Sequence, residues 1–188
     1  MQLKQNIIIK SIATILLVAM LFSCENDQKK VKDFIADKNL PISVTKNIYL
    51  IHTDSGKVKS KMLTKLLHDF SNRYKHPYQE FPKGIKLTTF EKNGDSTTIT
   101  ANYARTYKNT QVSEIKGNVI VINHKKNMKL ATEQLFWDQK ENYFFSNKKT
   151  ILISGNDTLI GADGFDANAD LTNANMMNNK GKLEIIEP

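Results

Sequence analysis

Ten short apolar runs, each closed by a turn-forming group rather than by a helix cap, restrict this chain to a fold built from strands. The runs cover residues 48–51, 58–67, 85–90, 99–104, 115–122, 128–137, 143–145, 151–153, 159–171 and 183–186. Between them stand Asp54-Ser55-Gly56, Asn93-Gly94-Asp95, Lys125-Lys126-Asn127, Gly155-Asn156-Asp157 and Asn179-Lys180-Gly181. Glycine and asparagine reach positive φ at little cost, so these groups favour hairpin turns. Strands at this spacing predict an all-β fold: an antiparallel sandwich, barrel or roll.

Two segments blur the pattern. Lys57 to Phe70 can be drawn as an amphipathic helix, but Lys57, Lys59 and Lys61 alternate with Val58, Ser60 and Met62 directly after a hairpin glycine. That alternation favours a strand. The asparagine-rich run 173–179 reads as a loop or a weak edge strand, because asparagine side chains compete with a regular ladder. A short internal repeat runs through the rest. It takes the forms Met62-x-Thr64-x-x-Leu67, Ile99-x-Ala101-x-x-Ala104, Leu130-x-Thr132-x-x-Leu135 and Leu159-x-Gly161-x-x-Gly164. Its small residues lie 37, 31 and 29 positions apart, about two strands and two turns each. A hairpin that cannot bury its apolar face alone, repeated in this way, implies stacking into one elongated β-structure.

The N-terminal segment has a different character. Lys4 and Lys10 flank apolar residues 7–9 and 12–22, no acid precedes Glu25, and the only cysteine, Cys24, follows Leu21-Phe22-Ser23. This is the layout of a secretory signal, too short for a lasting membrane span. The ending resembles a bacterial lipobox, in which the cysteine is acylated and the chain is cut before it. A plain signal peptide or a marginal anchor helix is the alternative. Residues 24–43 are polar and charged up to Pro41 and read as a tether or a frayed helix. The expected organisation is therefore 1–23 signal peptide, 24–43 tether and 44–188 β-domain. Two of the 27 basic residues and none of the 19 acidic ones lie in the first 23, so cleavage leaves 165 residues with a formal charge of +6. That balance suits anionic lipid or acidic glycan, and export makes nucleic acid an unsuitable partner. With Cys24 acylated no thiol remains for disulfide or thiolate chemistry.

The residues supply no active site. His52, His68, His76 and His124 have no paired spacing, and no Gly-x-Ser-x-Gly elbow or phosphate-binding loop is present. No metal, no cofactor and no catalysis are expected. Several strands are instead apolar on both faces. Val119 and Val121 point one way and Ile120 and Ile122 the other, and Leu135-Phe136-Trp137 and Tyr143-Phe144-Phe145 do the same. A half-solvated strand alternates more cleanly. Two explanations remain open: a two-layer core with some apolar surface exposed, or an apolar trough that accepts lipid chains, with lysines meeting anionic head groups.

The order Asp54-Ser-Gly56, Tyr78-x-x-Phe81-Pro-Lys-Gly84, Ala101-x-Tyr103-Ala104, Gly117-Asn-Val119-x-Val121, Leu130-x-Thr132-x-x-Leu135-x-Trp137-Asp138 and Ile160-Gly161-x-x-Gly164 resembles the LptC family. That family is the periplasmic component of lipopolysaccharide export. The pattern looks most like the form found in Bacteroidetes-type bacteria and covers roughly residues 44 to 172. The resemblance implies an antiparallel β-jelly roll of two facing twisted sheets, similar to LptA, LptC and OstA, whose apolar interior carries lipid A acyl chains. It implies a protein that receives lipopolysaccharide from the LptBFG transporter and passes it to an LptA-like bridge protein, with related rolls joined edge to edge. It also carries over Gly56 and Gly161 as turn glycines kept for shape and assembly. This chain departs from better-known members in having Cys24 where they keep a transmembrane helix.

These readings together give a non-enzymatic lipid-transfer lipoprotein on the periplasmic side of the inner membrane, attached through Cys24. Tyr49, Ile51, Phe81, Phe90, Trp137 and Phe165 are expected to line the interior, although a one-residue slip in register turns any of them outward. The alternative function is a structural or adaptor lipoprotein that binds a protein partner by strand addition.

Overall fold

The computed structural model describes residues 28–91 and 94–182. The signal segment, Cys24 and the apolar run 183–186 lie outside the described residues. The chain divides into two compact units, Met1–Phe34 and Ile35–Pro188, and helix α1 (Gln28–Asp37) straddles their boundary. The stretch read as a tether or frayed helix thus contains ten residues of helix. α1 ends in a Schellman-type cap: Asn39 takes φ 58°, and the Leu40 N–H reaches back to the Ile35 carbonyl at 3.0 Å. Among the described residues, no helix is long and apolar enough to cross a membrane.

Every remaining element is a strand, and every pairing is antiparallel. In chain order they are β1 (Ser43–Asp54), β2 (Lys57–Phe70), β3 (Tyr78–Phe81), β4 (Ile85–Phe90), β5 (Ser96–Ala101) and β6 (Tyr103–Tyr107). Then come β7 (Val112–Asn123), β8 (Met128–Asp138), β9 (Tyr143–Ser146), β10 (Thr150–Ser154), β11 (Asp157–Asn168) and β12 (Ala174–Lys182). β3 and β4 together make one pass of the chain, because both pair with β2 in the same sense. β5 with β6, and β9 with β10, are likewise single passes broken in the middle. The architecture is therefore an up-and-down meander, each pass paired to the next.

A crease crosses all these passes near their midpoints. It falls between β3 and β4, at Asn102 between β5 and β6, and between β9 and β10. In β7 and β11 it is a register shift, at Lys116/Val119 and Gly161/Gly164. The broken passes leave carbonyls without ladder partners, and threonines of the internal repeat meet them. The Thr64 hydroxyl donates to the Gly84 carbonyl at 2.8 Å, and the Thr132 hydroxyl donates to the Lys149 carbonyl at 3.0 Å. Ala101 and Gly161, the other small residues of the repeat, also sit on the crease. At Gly84 (φ 81°) a Cβ would come within 2.6 Å of the Ala101 carbonyl oxygen, so only glycine allows the passes to approach so closely. The repeat is thus the signature of a fold line.

The crease divides the sheet into two halves with the same order of passes: a β4 half-sheet, with β5 and β10, and a β3 half-sheet, with β6 and β9. One hydrophobic cluster draws on both. Ile99, Val119, Val121, Leu130 and Leu152 come from the first, and Ala104, Ile115, Leu135, Phe144 and Phe165 from the second. The half-sheets therefore face each other across a shared interior, giving the antiparallel jelly roll of two facing sheets.

The local readings fare differently. Lys57 to Phe70 is one continuous strand. β3 and β6 were not foreseen as separate strands, since Tyr78-Gln-Glu-Phe81 contains no apolar run. Asn179-Lys180-Gly181 is not a turn. It lies within β12, paired to Gly161, Ile160 and Leu159. The asparagine run is accordingly an edge strand, bonded to β11 alone. Gly161 likewise is no turn glycine, because it stands mid-strand on the crease. The two-residue Ser55-Gly56 loop is a hairpin turn as expected, with φ 51° and 76° at its two residues.

Candidate functional site

The interior of the roll is filled at one end and hollow at the other. Toward β11, Val119, Val121, Leu130, Leu135, Phe165 and Leu171 are completely inaccessible to solvent. Toward β1 the half-sheets enclose a cavity of about 570 Å³, a size typical of small-molecule and lipid sites. The β4 half-sheet supplies Leu50 and His52 from β1, Met62 from β2, and Ile85 and Leu87 from β4. The β3 half-sheet supplies Phe81 from β3, Ala104 from β6, Ile115 from β7 and Trp137 from β8.

Alternation decides which residues reach this cavity. β1 pairs Leu50 with Met62 and His52 with Ser60, so these four share the inner face. Tyr49 pairs with Leu63, and Ile51 with Lys61, on the outer face. In β4, Ile85 and Leu87 point in, while Lys86, Thr88 and Phe90 point out. Lys61 Nζ lies 5.6 Å from the Phe90 ring centroid, which puts both on the outside. Three expected interior residues are therefore corrected: Tyr49, Ile51 and Phe90 face outward, each by one residue of parity. For β1 only the pairing decides this, since Leu50 at 52% is as exposed as Tyr49 at 55% and Ile51 at 47%. Phe81 and Trp137 line the cavity. Phe165 is inside but belongs to the packed end, away from the cavity walls.

The residues missed were Leu50, His52, Met62, Leu87 and Ile115. For β4 the cue was present, since Lys86 and Thr88 mark the wet face and Phe90 shares their parity. For β1 it was not, because Tyr49 and Ile51 are as apolar as Ile48 and Leu50.

No carboxylate lines the cavity among the described residues, and three of its polar groups bond one another. Gln139 Nε2 donates to Ser113 Oγ at 2.7 Å, and Ser113 shares a 2.8 Å hydrogen bond with Thr106. The buried Nε1–H of Trp137 has no hydrogen-bond partner among the described residues. Its ring lies 6.0 Å from that of Phe144, at the boundary with the packed end. The wall therefore offers apolar surface with the Trp137 donor inside it and Lys59 and His52 at its β1–β2 side, which suits an apolar chain joined to an oxygen-bearing or anionic group. No group of three or more potential metal ligands occurs among the described residues.

Charge is concentrated on the outside of the β3 half-sheet. Glu80 accepts hydrogen bonds from Tyr103 Oη at 2.6 Å and Arg105 Nη2 at 2.9 Å, and His68 Nδ1 stands 3.8 Å away. Burial raises the Glu80 pKa, but the Tyr103 and Arg105 hydrogen bonds outweigh it and leave the carboxyl below its ordinary value. The Tyr103 hydroxyl is pushed up by burial and by the same carboxylate. Arg105 stacks over Tyr78 at 4.8 Å. This network fixes β3 to β6 and leaves the cavity uncharged on that side.

Both outer edges of the meander are free. Within the described residues β1 pairs only with β2, and β12 only with β11, so each presents an unpaired row of backbone donors and acceptors. Gly56, at the β1–β2 turn, has no atom within 4 Å of where a Cβ would stand. Cys24 lies outside the described residues.

The family model described as lipopolysaccharide-assembly, LptC-related, matches residues 12–184. No curated protein gives a significant match to the chain.

Proposed function

The chain belongs to the LptC family, and on that premise we propose that it accepts lipopolysaccharide from the LptBFG transporter and passes it to an LptA-like periplasmic protein. Membership already means a part in lipopolysaccharide transport, in the periplasm and in association with the inner membrane, within a family of transport components rather than enzymes. The observation that carries the finer reading is the cavity between the half-sheets, lined by apolar side chains from both. Each acyl methylene that moves from water into such a site gains about 0.8 kcal/mol. Shielding of this kind is passive, and transport is driven by ATP hydrolysis in the transporter.

In this reading the free edges β1 and β12 join neighbouring rolls by strand addition, so that the sheets and their interiors run on from one protein to the next. Residues 1–23 are a signal peptide, Cys24 carries the lipid anchor, and residues 24–43 tether the roll. Two or more acyl chains on Cys24 make that attachment stable, where one would not.

The same free edges also favour a second reading, an adaptor that binds a protein partner by strand addition and carries no lipid. Two measurements separate them. Trp137 is the only tryptophan and lines the cavity, so titrating the detergent-solubilised full chain with lipopolysaccharide should shift its emission to the blue and saturate. A Leu50→Glu variant should lose that response. An unchanged emission in the folded parent protein contradicts lipid carriage. Depletion in cells should stall newly made lipopolysaccharide at the inner membrane, and normal export would leave only the adaptor.

A further inference from the structure

The outer surface of the β4 half-sheet is unlike the rest of the molecule. Residues paired across a ladder share a face, and the register carries one face across the whole half-sheet. Tyr49 pairs with Leu63, which pairs with Lys86, and Ile51 pairs with Lys61. Further along, Ile120 pairs with Ala131, which pairs with Ile151, and Ile122 pairs with Lys129, which pairs with Ile153. These side chains are not in the interior, which holds their neighbours Val119, Val121, Leu130 and Leu152. Tyr49, Leu63, Ile51 and Ile153 are between 38% and 55% exposed. The result is an apolar sheet face open to solvent, the kind of surface that marks an interaction site.

Its charges are predominantly cationic. Lys61, Lys86 and Lys129 stand on this face, and none of them makes an ion pair among the described residues. One carboxylate, Glu133, stands at the crease edge of this face beside Ile120, Ala131 and Ile151, with Lys149 next to it. The opposite outer face carries Glu80, Glu114, Asp138 and Asp166, with Glu80 and Glu114 neutralised by Arg105 and Lys116. One side of the roll is thus apolar with an excess of lysine, and the other carries more carboxylates than the two cations that pair with them.

We propose that the outer face of the β4 half-sheet docks on an anionic lipid bilayer. A second copy of the chain would set lysine against lysine across the same apolar surface, which like-charge repulsion disfavours. A bilayer with anionic head groups satisfies both features together. The isoleucines and Leu63 meet the acyl boundary, Tyr49 sits at head-group level where amphipathic rings are favoured, and the lysine stems extend along apolar surface to reach phosphate. Docking in this way lays the roll flat and brings its hollow, β1 end close to the membrane surface. The inference is independent of what the cavity carries.

The test uses the full chain reconstituted into phosphatidylcholine vesicles with and without phosphatidylglycerol. A photo-crosslinking residue replaces Ile122 on the docking face or Phe145 on the opposite face, and lipid adducts are read by mass spectrometry. Adducts should form at Ile122 and not at Phe145, and should fall with added salt. The combined variant Lys61→Glu, Lys86→Glu and Lys129→Glu should reduce them by about a hundredfold, since each basic residue near an anionic surface contributes about a fivefold gain in binding. An unchanged Trp137 emission shows that the variant is folded. Equal labelling of the two faces, labelling indifferent to phosphatidylglycerol and salt, or adducts at Ile122 that join two protein chains would each overturn the proposal.

Discussion

Replacing Gly161 with alanine tests the crease at its tightest point. Gly161 is buried and its φ lies outside the left-handed region, so only space decides the outcome. A Cβ there would overlap the Gly164 carbonyl oxygen and stand 3.4 Å from the Met177 backbone nitrogen. Both are main-chain atoms of the bulge where β11 pairs Gly161 with Asn179 and Gly164 with Met177. Neither can swing aside as a flexible side chain would. Relief requires moving β12 or opening the bulge, at a cost of about 3 kcal/mol, the upper end of ordinary overpacking. Gly56→Ala is the control: its φ of 76° disfavours a side chain, but nothing lies within 4 Å, so the cost should be about 1 kcal/mol. For a domain of this size each kcal/mol lowers the melting temperature by roughly 2–4 °C. Urea titrations followed by Trp137 emission would measure the difference, and hydrogen exchange should show β12 amides opening first in Gly161→Ala. A Gly161→Ala protein no less stable than Gly56→Ala would refute the close approach on which the crease rests.

Acid should weaken the roll in a defined way. Burial raises the pKa values of Glu80, Asp69 and Asp170, but hydrogen bonds from Tyr103 and Arg105, from Ser71 and Gln79, and from Thr172 and Lys126 outweigh it, and all three carboxyls lie below their ordinary values. Their contribution is therefore fully present above about pH 4.5 and is lost as pH falls through the depressed folded values. Glu80→Gln should flatten the acid limb of a stability-against-pH curve, and an unaltered limb would show that Glu80 contributes nothing. Thr132→Val removes the hydroxyl that satisfies the Lys149 carbonyl and should cost about 1–3 kcal/mol in chemical denaturation; Thr64→Val should match it at Gly84. Cys24→Ala should release the domain from the membrane or leave the chain uncleaved on fractionation. A variant that fractionates and functions like the parent would mean that an uncleaved helix is the anchor.

The architecture was legible where local chemistry determined it. Asp54-Ser55-Gly56 specifies a two-residue hairpin, and the repeat through Thr64, Ala101, Thr132 and Gly161 points to one elongated β-structure, although that these small residues lie on a crease follows only from the pairing. Facing was legible only where a polar residue labelled the wet side, as Lys86 and Thr88 do in β4. β1 has no such label, so Tyr49 and Ile51 could be told from Ile48 and Leu50 only by their pairing with β2. β3 was invisible for a related reason: Tyr78-Gln-Glu-Phe81 is stabilised by Phe70–Tyr78 stacking at 4.7 Å and by the Glu80–Arg105 pair, contacts with strands distant in sequence. The asparagine run becomes a strand because β11 offers it an open edge, which overrides its weak intrinsic preference. Apolar residues on both faces of β7 had suggested either a trough or exposed apolar surface. The molecule has both, a cavity toward β1 and an open isoleucine face on the outside of the β4 half-sheet.

The central claim is that lipid chains travel between the half-sheets, and adjacent residues of β1 test it most directly. A photo-crosslinking residue at Leu50 or Ile51 differs by one position in the chain but by a whole sheet in direction. With the transporter hydrolysing ATP in membranes, lipopolysaccharide adducts should form at Leu50, and likewise at Phe81, and should be absent at Ile51 and Phe90. Adducts at Ile51 and Phe90 without any at Leu50 and Phe81 would place the lipid path on the outside of the roll and contradict the account.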